Sequence, residues 1–209
     1  MRIGILGSGN VGQALAIGFL AEGHEVWLAT REPDSEKAQA LKRDFPQAHV
    51  DTFKETAKQA EIAVLCTPWD AAADAIKLAG SHHLDYKILI DTNNALQHRP
   101  GRVVQVVGVG WSAGEVVQEW LPHTQVVKCF NTTGHENFYK PQFESTPTMF
   151  LAGDHEKGKK RVAELVTAFG WEPLDAGGIE ASRELESMAV LWVNHLMRTE
   201  DPHHAFKML

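Results

Sequence analysis

The chain opens on an apolar run, residues 1–6 (MRIGIL), broken only by Arg2 and Gly4, and passes through a glycine-rich segment into an amphipathic stretch over 13–22. An apolar run of that length bounded by turn residues predicts a strand covered on both faces. The pattern then recurs. Strands are predicted over 25–29 (EVWLA), 49–50, 62–66 (IAVLC), 87–91 (KILID) and 125–128 (QVVK), with helices over 36–44, 53–59, 70–78 and 112–121. Ser112, with Glu115 three positions on, reads as a capping box, and Pro122 stops that helix. Strands alternating with helices at this spacing imply parallel strands joined by right-handed crossovers, an α/β fold with a Rossmann-type doubly wound parallel sheet.

Past residue 128 the pattern loosens. Residues 131–146 are polar and read as a loop; a strand over 148–152 (TMFLA), Asp154 as N-cap, a helix over 155–169 ended by Gly170, and a short strand over 171–174 follow. A turn over 175–178 leads into a long helix over 179–197, with Leu185, Met188, Ala189, Trp192 and Leu196 on one stripe. That stripe reads as core, or as a surface for a second subunit. The expected organisation is a dinucleotide-binding domain over 1–147 and a small C-terminal α/β extension over 148–209 that ends in the long helix.

The glycine-rich segment, 7–12 (GSGNVG), follows a strand and opens a helix, which is the context a dinucleotide-binding fingerprint requires. Gly7 permits the turn, Gly9 lets backbone approach a pyrophosphate, and Gly12 lets helix and strand pack closely. Ser8, Asn10 and Val11 complete the loop, whose free N–H groups face phosphate oxygens. The alternative is a tight structural turn. Twenty or so residues on, an NAD site wants an acidic residue for the ribose hydroxyls. Thr30 and Arg31 stand there instead. A guanidinium fork beside a hydroxyl suits a 2′-phosphate, which favours NADP(H). Ser35 and Lys37 could add contacts, whereas Glu32 and Asp34 would repel phosphate. Against this stands the reading of Arg31 as a solvated loop residue.

In open α/β sheets ligands bind beyond the carboxyl ends of the strands. Those ends carry Thr67, Pro68 and Trp69, then Thr92, Asn93 and Asn94, then 130–134 with Asn131, Thr132 and Thr133. The set is aromatic, amide and hydroxyl, with no charged acid–base pair. It can stack and hold a planar ring but offers little for proton abstraction, so hydride transfer between two cofactors fits and no catalytic side chain is assigned. Trp69 reads equally as a packing residue, and 131–133 as loop chemistry.

Composition narrows the classes. At 209 residues with 44% hydrophobic and 22% charged residues the chain is an ordinary globular protein. A formal net charge of −7 argues against general nucleic-acid binding, which rests on Lys and Arg. No apolar stretch approaches a membrane span and no leader is evident, so the expectation is a soluble, cytoplasmic protein without membrane or nucleic-acid partners. Cys66 and Cys129 follow apolar runs and read as buried thiols. Among the eleven histidines, His195 with Asp201 and His203 is the one cluster with any metal-like character, and no metal site is assigned.

Taken together, GSGNVG, ATR at the end of the second strand, CTPW at 66–69, VVKCFNTTG at 126–134, MFLAGD at 149–154 and PLDAGG at 173–178 resemble the NADPH-dependent coenzyme F420 reductase family along essentially the whole chain. The same unit resembles the cytosolic domain of the six-transmembrane metalloreductases. The resemblance implies an enzyme that moves a hydride between NADP(H) and coenzyme F420 or a flavin (FMN or FAD), usually as a homodimer. It matches Thr30 and Arg31 to the 2′-phosphate, and Pro68, Trp69, Asn131, Thr132 and Thr133 to the place where nicotinamide and second ring meet. Three other readings stay open: a flavin-mediated ferric or cupric reductase, a reductase of a small imine or 3-hydroxy acid, and a non-catalytic NADP(H)-binding sensor.

Overall fold

The computed structural model describes residues 1–107 and 110–209. Six parallel strands form its centre: β1 (Arg2–Leu6), β2 (Glu25–Thr30), β3 (His49–Thr52), β4 (Ile62–Leu65), β5 (Ile88–Asp91) and β8 (Gln125–Lys128). They lie in the order β3-β2-β1-β4-β5-β8, so the order reverses beside β1, where β1 pairs with both β2 and β4. That reversal opens a crevice at the carboxyl ends of β1 and β4, the place where doubly wound sheets bind ligands. Residues Ile62–Leu65 are buried along their whole length, as a central parallel strand requires.

The helices cover both faces. On one side α1 (Asn10–Ala21) and α6 (Glu156–Ala168) bury Phe19, Val162 and Phe169 against Ile3, Ile5 and Val127. On the other, α3 (Phe53–Gln59), α4 (Trp69–Ala79) and α5 (Ala113–Trp120) bury Ala57, Ile76 and Val117 against Leu6, Leu65 and Leu89. Between β2 and β3 lies α2 (Glu36–Asp44). Its cap Ser35 accepts a hydrogen bond from the Ala38 amide at 3.2 Å, and Thr52 caps α3 by accepting from Glu55 at 3.1 Å. Ser112 accepts from the Glu115 amide in the same way at the start of α5.

Three features depart from the expected pattern. First, α1 starts at Asn10, not at 13, so Val11 and Gly12 lie inside its first turn. Second, residues 96–105 form an antiparallel hairpin, β6 (Leu96–Arg99) and β7 (Arg102–Gln105), where no element was expected. Pro100 and Gly101 make its turn, with Gly101 at φ +74, the geometry that favours glycine after proline. Third, Asp154 does not cap α6: its carboxylate accepts from the Ile179 amide at 2.8 Å, and the residue before the helix is His155, with no side-chain cap.

Beyond β8, β9 (Thr148–Leu151) and β10 (Glu172–Asp175) form a separate parallel pair, joined to the main sheet by one antiparallel bridge between Lys128 and Ala152. The long helix α7 (Ser182–Thr199) turns Leu185, Ala189 and Trp192 inward, while Leu191 on its outer side is exposed.

Candidate active site

The loop after β1 is shaped by its glycines. A side chain at Gly7, at φ +136, would meet the Cys66 carbonyl oxygen at 2.7 Å, and one at Gly12 would sit 2.0 Å from the Gly7 carbonyl oxygen. Both glycines are therefore required by the protein's own packing. Gly9 differs: a Cβ there would meet no protein atom within 4 Å. It is also the N-cap of α1 and supplies no side chain, so no side chain caps the first-turn amides. A cradle of bare backbone at a helix start suits a phosphate anion.

Two cavities meet at this loop. The first, about 530 Å³, runs from Gly7, Ser8 and Gly9 past Ala29 and Thr30 to Arg31, Ser35 and Lys37. The second, about 520 Å³, runs from Gly9, Asn10 and Val11 to Trp69, Thr92, Asn93, Asn94, Leu96 and His98. Gly9, Cys66, Thr67 and Pro68 line both, so the two form one cleft across the carboxyl edge of the sheet. The first end holds Arg31 and Lys37 against Glu32. Arg31 makes no ion pair among the described residues. Ser35 reaches the cavity wall, but its hydroxyl already donates to the Glu32 carbonyl while capping α2.

The second end is walled by half-satisfied polar groups. The Thr67 hydroxyl oxygen, both amide atoms of Asn93 and the Asn131 carbonyl oxygen of its side chain are buried and lack hydrogen-bond partners. Thr92 is already committed, its hydroxyl donating to the Leu65 carbonyl at 3.1 Å. Trp69 is half-buried, lines the cavity and stacks on Trp120 with ring centres 5.6 Å apart, so it is both wall and packing residue. Asn131 exchanges hydrogen bonds with Asn94, donating to its Oδ1 and accepting at the backbone carbonyl, each at 3.0 Å. It therefore meets the cavity through Asn94. Phe130 before it takes a left-handed φ of +59, which re-aims the chain after β8. Thr132 is buried and Thr133 accepts from Asn137; neither lines the two cavities.

Sequence reasoning missed the charged group behind this wall. Lys128, Asp91 and Glu186 have fully buried side chains, with Lys128 Nζ 2.6 Å from Asp91 and 3.0 Å from Glu186. The same ammonium donates to the Asn93 backbone carbonyl at 2.6 Å, and Asp91 accepts from the Asn93 backbone N–H at 3.0 Å, while the Asn93 side chain stays unpartnered. Asn93 is thus gripped from both sides. Burial alone would lower the Lys128 pKa, but the facing carboxylates outweigh it and hold it above its ordinary value. Glu186 also accepts from the Ala113 and Gly114 amides, giving α5 an acidic cap from α7. The strand-end residues themselves carry no charged pair; this triad sits behind them, where two strands, β5 and β8, and the helix α7 converge. The signal available was Lys128 itself, a charged residue that closes a short strand directly after Val126 and Val127.

Both thiols are free and buried. Burial pushes Cys66 up to about 12 and raises Cys129 further. His195 pairs with Arg198, His203 stacks on Phe143, and no three potential metal ligands converge among the described residues.

Fold, strand order and cleft define a doubly wound α/β protein of the dinucleotide-binding class. Residues 2–95 match the family model described as NADP oxidoreductase coenzyme F420-dependent, so the N-terminal part of the chain is similar to that family. It is 26% identical over 207 residues to an F420-dependent NADP reductase of Methanothermobacter thermautotrophicus, covering 93% of this chain and 88% of that one. It is 28% identical over 197 residues to the rat metalloreductase STEAP3, covering 90% of this chain but only 36% of that longer protein. A crystal structure from Arthrobacter, of a candidate F420-dependent NADP reductase, superposes with a TM-score of 0.94 at 28% identity, covering 100% and 99% of the two chains.

Proposed function

We propose that the protein is an NADPH-dependent oxidoreductase that transfers a hydride between NADP(H) and coenzyme F420 or a flavin. The observation that carries this reading is the single cleft with a cationic end and an aromatic, amide-lined end, bridged by the bare loop 7–12. Thr30, Arg31 and Lys37 would hold the 2′-phosphate, and Gly7, Ser8, Gly9 and the α1 amides the pyrophosphate. Thr67, Pro68, Trp69, Thr92 and Asn93 would hold the nicotinamide, where orphaned buried polar atoms fit a ligand that carries its own donors and acceptors. The bound dinucleotide supplies the hydride; these residues orient the ring and keep water from it.

The metalloreductase relatives favour a second reading, reduction of a metal ion, and a flavin that carries electrons from NADPH to ferric iron would be the acceptor in that case. NADPH oxidation by the purified protein tests both. Turnover with F420 alone supports the deazaflavin reading, and turnover only with FMN or FAD plus ferric citrate supports the metalloreductase reading. NADPH binding without turnover on any acceptor would refute the enzyme and leave a sensor.

A further inference from the structure

Hydride transfer to a heteroaromatic acceptor leaves charge on the ring unless a proton follows, so the acceptor end of the cleft needs a proton source. Among the described residues that line the second cavity, two carry side chains that can titrate, Cys66 and His98. The Cys66 thiol lies beneath the glycine loop, 3.3 Å from the Gly7 carbonyl, and is pushed up to about 12. Lys128 is sealed behind the wall at 0% exposure, its ammonium already held by Asp91, Glu186 and the Asn93 carbonyl. His98 is exposed, and its ring makes no hydrogen bond or ion pair among the described residues.

The hairpin aims it. Side chains alternate along β6, so Leu96 and His98, which both line the cavity, share one face while Gln97 and Arg99 take the other. His98 lies opposite Val103 on β7. The Val103 amide donates to the Asn194 side-chain oxygen at 2.8 Å, and the Asn194 amide donates to the Val103 carbonyl at 3.1 Å. The outer edge of the hairpin is therefore clamped to α7, which fixes the strand that carries the imidazole.

We propose that His98 is the proton donor to the hydride acceptor, a role that rests on the hydride-transfer reading above. The balance is simple. The hydride leaves NADPH for the acceptor's electrophilic ring atom, leaving NADP+; the N–H bond of the His98 imidazolium breaks, its proton forms a new N–H bond on the acceptor's conjugated ring nitrogen, and solvent reprotonates the imidazole. An imidazole suits this because its ring nitrogen can donate a proton to a nearby acceptor and regain one from solvent.

The test uses the full chain with saturating NADPH and either F420 or FMN. His98→Ala and His98→Gln should lower kcat about 100-fold, within the range for loss of a general acid, with NADPH affinity unchanged by fluorescence titration. Added imidazole should restore part of the Ala variant's kcat, which a packing role would not allow. In the unmodified protein, NADP+ with FMN should slow carbethoxylation of His98 several-fold, read by peptide mapping, with exposed His155 as internal control. Wild-type kcat in the variants, no imidazole rescue, or unprotected His98 overturns the assignment while leaving the hydride-transfer reading intact. Wild-type protein that oxidises NADPH with neither acceptor defeats that reading and the assignment with it.

Discussion

At the scale of single residues, chemistry divides between side chains the sequence displays and side chains only the fold pairs. Arg31 belongs to the first kind: it follows a strand and lines the cationic end of the cleft. Arg31→Ala should weaken NADPH by roughly 1–3 kcal/mol and leave NADH nearly unchanged, measured by titration with both. Equal losses would remove the 2′-phosphate role. Lys128 belongs to the second. Lys128→Met leaves Asp91 and Glu186 buried without their cation, so unfolding should show a loss of about 3–5 kcal/mol. A denaturant midpoint within error of wild type would mean that water or protonation relieves the carboxylates. Glu186 lies 58 positions from Lys128 in a different helix, and no spacing rule links them.

Among elements, the turn from β1 into α1 was the most legible, because each glycine answers a separate steric demand. The demands predict opposite phenotypes. Gly12→Ala sets a methyl group 2.0 Å from the Gly7 carbonyl oxygen, and thermal unfolding should register about 1–3 kcal/mol of overpacking. Gly9→Ala meets no protein atom, so stability should hold while NADPH affinity falls about tenfold, equivalent to roughly 1.4 kcal/mol. A stable Gly9→Ala protein with unchanged affinity would remove the phosphate from this loop. The β6–β7 hairpin was the least legible element. Its strands are four residues each and mostly polar, so hydrophobic periodicity carries no signal there. Asn194 and the packing of α7 on β7 supply what the local sequence lacks.

For the molecule as a whole, the last residues act as a strap. The Trp192 indole donates to the His204 carbonyl and stacks on the His204 ring, the Thr148 amide donates to the Phe206 carbonyl, and Lys207 pairs with Glu172. Removing residues 203–209 should lower Tm by about 5–10 °C, the shift expected for a few kcal/mol in a domain of this size. NADPH affinity should be unchanged, since none of these residues lines the cleft. What the amino-acid sequence determined by itself is the alternation of strands and helices, the glycine turn and the polar residues at strand ends. These follow from local rules: periodicity, capping and the steric needs of a tight turn. The tertiary structure alone decided the burial of Lys128 between Asp91 and Glu186, the commitment of Asp154 to Ile179, the hydrogen bond from Asn137 to Thr133, and the arrival of His98 on the cleft wall. Each depends on segments distant in the chain meeting in space, and burial, not local pattern, sets which charges must pair and which groups face the ligand.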